Sequence, residues 1–142
     1  GYLAADARLI LPMLKVHQYA VASSNIIAQS AAITALQAGE SCVEEMRREY
    51  ARRRQFLLDA FAQIPEISCV APAGTFYIYP NISGTGLSGT EFADKFLMEA
   101  GVATVPGTAF ESFCNSHIRL SYASSMESLQ TAVSRLKGML KK

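Results

Sequence analysis

The sequence predicts a fold of the α/β class, more specifically an α+β domain in which a small, mostly antiparallel sheet is covered by helices. Two observations lead to this prediction. Apolar residues recur every three or four positions up to residue 63, and the period shortens to two from residue 67 onward. From residue 41 the predicted order is helix, strand, strand, helix, strand, strand, helix, which is typical of an α+β domain.

The first 40 residues predict two helices. Residues 5–20 mix apolar and basic side chains at helical spacing, and Pro12 divides the run, so the main turns are expected on either side of it. Residues 23–25 (Ser-Ser-Asn) are candidate N-caps for a second helix that Gly39 ends. Because residues 26–38 are apolar nearly all round, we expect this second helix to be buried on more than one side.

A long helix is predicted next, over residues 42–63. Ser41 and Glu44 have the spacing of a capping box, and Pro65 ends the helix. At 1.5 Å per residue it is over ~30 Å long, enough to bridge two bodies. Its many arginines are interleaved with glutamates, which indicates a solvated helix face rather than a phosphate-binding stripe; these residues are Glu44, Glu45, Arg47, Arg48, Glu49, Arg52, Arg53 and Arg54.

The remaining elements are short. A loop is predicted over residues 82–89, and Thr90 with Glu91 is expected to open a helix that Gly101 ends. Ser124 or Ser125 is expected to cap a last helix that runs to about Leu140. The alternating segments predict four strands, over residues 67–70, 75–79, 102–105 and 117–123.

Composition excludes several functional classes. Half of the residues are hydrophobic, 18% are charged and the net charge is +1, which indicates a globular protein without a preference for nucleic acid or an anionic membrane. The three cysteines and two histidines are not spaced as disulfide partners or metal ligands. Because the cysteines suggest no disulfide framework, we expect reduced thiols in a cytoplasmic protein. No apolar run is long enough to span a bilayer, and the first residues do not have the pattern of a signal peptide. They are instead typical of a chain entered in mid-sequence.

Arg119 is the main candidate site residue. It lies in a predicted strand between Ile118 and Leu120, where it must either reach solvent, pair structurally, or hold an anion such as a carboxylate through two parallel hydrogen bonds. The segment from Gly74 to Tyr77 is either core and turn or an aromatic wall of a ligand site. None of the lysines has the local pattern of a Schiff-base residue.

Taken in order, several motifs are more specific than any single residue. They are G-Y-L-A at 1–4, S-N-x-x-x-Q at 24–29, E-E-M-R-R-E-Y-A-R-R-R at 44–54, P-A-G-T-F-Y-I-Y-P-N-I at 72–82, A-G-V-A-T-V-P-G-T-A-F at 100–110 and I-R-L-S-Y-A at 118–123. Over essentially the whole chain, this succession resembles the class I/II pyridoxal-phosphate-dependent aminotransferases of fold type I, and most closely their aspartate aminotransferase branch.

The resemblance implies a domain organisation. Residues 1–40 would be the end of a large cofactor-binding domain, residues 41–64 a long interdomain helix, and residues 65–142 a small carboxyl-terminal domain. It also implies that the Schiff-base lysine and the other cofactor ligands precede Gly1, so that this chain alone is expected to be inactive and to hold no pyridoxal phosphate covalently.

The resemblance also implies roles for individual residues. Arg119 would bind the α-carboxylate of the substrate, and Phe76 with Gly74 would line the substrate pocket. Ser24 and Asn25 would reach the active site of the neighbouring subunit in a homodimer. No residue of this chain is expected to be catalytic, to bind the cofactor directly or to bind a metal.

The implied activity is the transfer of an amino group between an amino acid, aspartate by family likeness, and a 2-oxo acid. The same scaffold also serves lyases and decarboxylases, so the reaction class stays open at this point. An alternative of another kind is a non-catalytic α+β module that binds a small molecule or mediates dimerisation.

Overall fold

The structure, a computed structural model, describes residues 1–141. Over these residues it contains five α-helices and a three-stranded antiparallel sheet, which confirms the predicted α+β class. The elements are α1 (Ala7–Val21), α2 (Ile26–Ala38), α3 (Glu40–Phe61), β1 (Tyr77–Ile78), α4 (Gly89–Ala100), β2 (Val105–Pro106), β3 (Ile118–Ser121) and α5 (Met126–Leu140). Two short 3₁₀ turns lie at Ser83–Thr85 and Gly107–Ala109.

The chain divides into two compact units, Gly1–Glu44 and the residues from Glu45 onward. The first unit contains α1 and α2. Asn25 caps α2 by accepting a hydrogen bond from the Ile27 backbone, as expected for one of the candidate caps. The expected interruption at Pro12 is wrong, because α1 continues through it; losing one backbone donor does not end this helix.

Helices α1 and α2 bury none of their residues. The expectation that α2 is buried on more than one side is therefore not met by the described part of this chain. The apolar side chains of α2 are exposed instead; the largest are Ile26, Ile27, Ile33 and Leu36.

Helices α3 and α4 both begin at residues other than those predicted. Helix α3 begins at Glu40, so Ser41 lies inside it and the predicted capping box with Glu44 is wrong. Helix α4 begins at Gly89, one residue before the predicted start at Thr90, and its cap is Ser88, which forms a capping box with Glu91. A box needs the cap three residues before the acid, and Ser88 meets that spacing. Ser125 caps α5, as predicted.

The exposed face of α3 carries ion pairs, as its charge pattern predicted. Glu49 accepts hydrogen bonds from Arg52 at 2.8 Å and from Arg53 at 2.7 Å. Hydrogen bonding to these two guanidinium groups lowers the pKa of the Glu49 carboxyl to about 2.

The sheet has the order β1-β3-β2, and both pairings are antiparallel. Tyr77 pairs with Ser121, and Val105 pairs with Arg119. The strands are shorter than predicted, and the segment at 67–70 forms only an isolated bridge between Ser68 and Asn81. Alternation in sequence indicates a strand, but a ladder also requires a partner of matching length.

The hydrophobic core lies entirely between residues 57 and 139. It joins the end of α3, one face of the sheet, α4 and α5. Its largest fully buried side chains are Leu57, Phe61, Ile78, Ile82, Phe92, Phe96, Ile118 and Tyr122. Since this core holds β3 in place from one side, the opposite side of β3 is left to present Arg119.

Within residues 1–141, no helix is long and apolar enough to cross a membrane. No three histidine, cysteine or acidic side chains of the same residues cluster so that they could hold a metal ion.

Candidate functional site

The two faces of the sheet differ because side chains alternate along a strand. On one face, Ile78 and Ile118 are completely buried in the core. On the other face lie Arg119, its strand neighbour Ser121 and, from β1, Tyr77. Arg119, the candidate predicted from the sequence, thus lies in a strand that is paired on both sides and points away from the core.

Two aromatic rings contact the Arg119 guanidinium. Its central carbon lies 4.3 Å from the centroid of the Tyr77 ring and 4.5 Å from that of Phe110. Both distances are within the range of favourable cation–π contacts. Within the described part of the chain, the guanidinium has neither a hydrogen-bond acceptor nor an ion-pair partner. Its N–H groups are therefore available to an anion.

Phe76 belongs to the same group of side chains through Tyr77. The rings of Phe76 and Tyr77 have their centroids 4.4 Å apart, and Phe76 also lies 6.3 Å from Tyr50. Phe76 is partly exposed, as a pocket wall would be. Arg119 and Phe76, two of the predicted site residues, thus both contact the Tyr77 ring.

Gly74 lies in a neighbouring cavity of about 380 Å³, which it lines together with Tyr50, Arg54 and Tyr122. No heavy atom lies within 4 Å of the position that a Cβ would take at Gly74. The structure therefore places Gly74 two residues before Phe76 but does not bring it into contact with Arg119.

Tyr122 holds the segment before β1 in position. Its hydroxyl donates a hydrogen bond of 2.6 Å to the carbonyl of Thr75, and its backbone N–H donates one of 2.9 Å to the carbonyl of Phe76. Burial raises the pKa of the Tyr122 hydroxyl, against an opposing effect of the positive charge of Arg54, so the hydroxyl remains a donor.

The position of Phe110 depends on the Pro106-Gly107 turn. Gly107 donates a backbone hydrogen bond of 2.8 Å to the carbonyl of His117, and Phe110 directly follows the 3₁₀ turn Gly107–Ala109. A Cβ at Gly107 would collide with the carbonyl oxygen of Cys114 and would lie 2.5 Å from the hydroxyl oxygen of Tyr79. Only glycine permits this close approach.

Tyr79 supports Phe110 from the side. The two rings meet edge to face with their centroids 6.4 Å apart, and Tyr79 also stacks on His117 at 5.0 Å. Burial raises the pKa of the Tyr79 hydroxyl, and the neighbouring Cys114 thiol raises it further. Two aromatic groups, Phe76 with Tyr77 and Phe110 with Tyr79 and His117, are therefore joined by the Arg119 guanidinium, which contacts one ring of each.

The sequence motifs contained Tyr77 and Phe110 but gave no reason to assign either of them to the site. Both contacts join residues that are distant in the chain, and Phe110 reaches Arg119 only through the turn at Gly107. The one available signal was a Pro-Gly pair after a strand, followed three residues later by an aromatic residue.

Ser24 and Asn25 lie in the first compact unit, before α2. Asn25 caps that helix, and the carbonyl of Ser24 accepts a hydrogen bond of 2.9 Å from the Gln29 side chain. These local contacts explain their conformation. Their expected contact with a second subunit stays a prediction.

Comparison with known proteins identifies relatives over the whole chain. The sequence model described as aminotransferase class I and II matches residues 1–136. The aspartate aminotransferase of Pyrococcus horikoshii is 39% identical over 99% of this chain. The aromatic-amino-acid aminotransferase 2 of Thermococcus litoralis is 38% identical over 99% of it. This chain spans 36% of the length of each of these two relatives.

A solved structure agrees with these matches. The crystal structure of an aromatic aminotransferase from Pyrococcus horikoshii OT3 superposes with a TM-score of 0.91 at 38% sequence identity. The superposition covers 97% of this chain and 37% of the other.

Proposed function

This chain belongs to the class I and II aminotransferase family, and on that premise we propose that it is the carboxyl-terminal part of a pyridoxal-phosphate-dependent enzyme that transfers an amino group between an amino acid and a 2-oxo acid. The observation that carries the proposal is the Arg119 guanidinium. It stands on a rigid strand, and within residues 1–141 no hydrogen-bond acceptor or carboxylate occupies it.

The role of Arg119 in this proposal is to hold the α-carboxylate of the substrate. A guanidinium grips a carboxylate through two parallel hydrogen bonds, which fixes both the position and the rotation of the carboxylate. Fixing the carboxylate also fixes the attached α-carbon, where the reacting C–H bond lies. Phe76 and Gly74 would line the walls of the pocket around the rest of the substrate.

The described residues do not by themselves fit a covalent cofactor site. Lys15, Lys95, Lys137 and Lys141 lie in or at the end of helices, and none of them has the local pattern of a Schiff-base residue; Lys142 lies outside the described residues. We propose that pyridoxal phosphate, whose ring accepts the electrons of the broken C–H bond, is held in the longer protein by residues other than these 142.

This proposal includes the inactivity of the 142-residue chain on its own. Borohydride reduction in the presence of pyridoxal phosphate, followed by peptide mapping, should label no single lysine stoichiometrically, and transaminase assays should give no turnover. Stoichiometric labelling of one lysine within this chain would show that the cofactor is held here.

Aspartate is the proposed amino donor. It is supported by the name of the Pyrococcus horikoshii relative, while the name of the Thermococcus litoralis relative makes aromatic amino acids the main competing substrates. A screen of the full-length protein with aspartate, phenylalanine and tyrosine as donors, each with 2-oxoglutarate, distinguishes them. The proposed homodimer and cytoplasmic location can be tested by ultracentrifugation and by cell fractionation.

The direct test of the proposal is Arg119→Lys in the full-length protein. Lysine keeps the charge but lacks the planar pair of donors, so kcat/KM for the amino donor should fall by roughly 10²-fold or more. The visible absorbance of the cofactor and the melting temperature should stay unchanged, because Arg119 serves the substrate and lies outside the core.

Arg52→Lys is the matched control. Arg52 is an arginine paired with the Glu49 carboxylate on the exposed face of α3, and its replacement should leave kcat/KM unchanged. If Arg119→Lys retains near-normal kcat/KM, Arg119 does not hold the substrate and the proposed role of the sheet face is wrong.

A further inference from the structure

We propose that Tyr77 and Phe110 are positioning residues: their rings hold the Arg119 guanidinium in the orientation in which its N–H groups meet the substrate carboxylate. This inference rests on the proposed function, since it assigns to two further residues a part in the same binding event. Neither ring touches the substrate in this proposal. Both act through Arg119.

The first support is the geometry of the contacts. The guanidinium carbon lies over both rings, at 4.3 Å from the Tyr77 centroid and 4.5 Å from the Phe110 centroid. An arginine side chain has four rotatable bonds and loses much of its freedom when it binds a ligand. Contact with two rings restricts that freedom before the substrate arrives, so less is lost on binding.

The second support is the chemistry of the partners. Arginines in proteins are commonly oriented by a carboxylate, but a carboxylate would occupy the same N–H groups that the substrate needs. An aromatic face attracts the positive charge without accepting those in-plane donors. Because no other described residue pairs with the Arg119 guanidinium, the rings orient it and leave its hydrogen-bonding edge free.

The third support is that both rings lie outside the hydrophobic core. The hydrophobic core and the side chains packed against it include neither Tyr77 nor Phe110. Phe110 remains 48% exposed, although it sits at the end of a turn whose backbone is tightly placed by Gly107. Outside the core, the contacts of Phe110 are the edge of the Tyr79 ring and the Arg119 guanidinium.

The rings are themselves held in place by neighbouring side chains. Tyr77 lies on the same sheet face as Arg119, because it pairs with Ser121, which is two residues along β3. Phe76 packs on Tyr77, and the edge of Tyr79 meets Phe110. Each ring thus has one contact that fixes it and one contact with the guanidinium.

The experiment uses full-length enzyme with its cofactor and measures two quantities for each variant: KM and kcat for the amino donor, and the dissociation constant of maleate, an unreactive dicarboxylate. Phe110→Leu should weaken maleate binding and raise KM by about 3- to 30-fold, the range expected for the loss of one cation–π contact. The value of kcat should change less. Phe110→Tyr, which keeps the ring, should restore both quantities to within about twofold.

A double-mutant cycle separates positioning from a structural role. In an Arg119→Gln background, Phe110→Leu should change maleate affinity by less than twofold, since no guanidinium remains to be held. Phe113→Leu is the matched control, because Phe113 is an 80% exposed aromatic residue of the same segment and forms no ring contact among the described residues. It should behave as wild type.

Tyr77→Leu should reproduce the effect of Phe110→Leu; if it fails to fold, the Phe110 variants still decide the question. Unchanged maleate affinity in Phe110→Leu, together with lost affinity in Arg119→Gln, would overturn the positioning role and leave the proposed function intact. Unchanged affinity in Arg119→Gln would overturn both. An equal effect of Phe110→Leu in the two backgrounds would also overturn positioning, because the ring would then act independently of Arg119.

Discussion

Gly107 lies where the turn that carries Phe110 presses against the segment before β3. The carbonyl oxygens of Cys114 and His117 and the hydroxyl oxygen of Tyr79 surround the position that a Cβ would occupy. Two of these three atoms belong to the backbone and cannot rotate away. The closeness of this contact makes Gly107 the residue on which the placement of Phe110 depends.

We therefore expect Gly107→Ala to destabilise the protein by about 1–3 kcal/mol, as overpacking does in a closely packed site. Gly138→Ala is the matched control, since Gly138 lies within α5 and has open space where a Cβ would go. That change should stabilise by roughly 0.5–1 kcal/mol, because alanine favours a helix interior over glycine. Urea unfolding followed by circular dichroism measures both, and equal effects would contradict the steric argument.

At the scale of single residues, the sequence indicates a site residue when its neighbours in the chain are enough to single it out. Arg119 is conspicuous because a charged side chain lies between apolar residues of a strand. Tyr77 and Phe110 could not be assigned, since their contacts with Arg119 are made across the sheet and across a turn. The family resemblance grouped Gly74 with Phe76; in the structure Gly74 lines a cavity with Tyr50, Arg54 and Tyr122, and its role in a substrate pocket stays a prediction.

At the scale of elements, the positions of the helices were predicted to within a few residues. This is because capping residues and apolar periodicity both depend on residues that are near each other in the sequence. The exceptions show the limits of that information. Ser41 and Ser88 each precede a glutamate by three residues, yet only Ser88 forms the capping box. At Ser41 the helix has already begun at Glu40, and a serine inside a helix cannot cap it.

This pair of serines gives a matched test. Ser88→Ala removes a cap that accepts a backbone hydrogen bond from Glu91, and it should destabilise by about 0.5–2 kcal/mol. Ser41→Ala removes no cap and should stay within about 0.5 kcal/mol of wild type, as exposed substitutions usually do. Thermal unfolding of the two variants makes the comparison, and a larger loss in Ser41→Ala would show that α3 begins later than Glu40.

The ends of the strands were harder to predict than the ends of the helices. Residues 67–70 alternate as a strand should, but only Ser68 is paired, with Asn81. β1 contains two residues rather than the five of its alternating run. Strand length depends on partners that lie 40 or more residues away, as Tyr77 and Ser121 do, so alternation alone overestimates it.

At the scale of the whole chain, apolar residues are unevenly placed. The core lies between Leu57 and Met139, whereas α1 and α2 bury none of their residues. Many large apolar side chains of residues 1–44 are exposed, including Tyr19, Ile27 and Leu36. The composition predicted a buried α2, and periodicity cannot reveal which surface is meant to cover it.

The last prediction concerns this apolar surface in the isolated 142-residue chain. Exposed apolar patches drive association, so the chain should self-associate at micromolar concentration, or residues 1–40 should show little protection from hydrogen exchange. Light scattering and exchange mass spectrometry measure the two outcomes.

The double variant Ile27→Glu with Leu36→Glu places charges on α2 and should reduce self-association. Met98→Glu, at an 83% exposed position of α4, should leave it unchanged because Met98 lies outside this surface. A monodisperse monomer with residues 1–40 strongly protected would contradict the prediction, because it would require α1 and α2 to be covered by the chain itself.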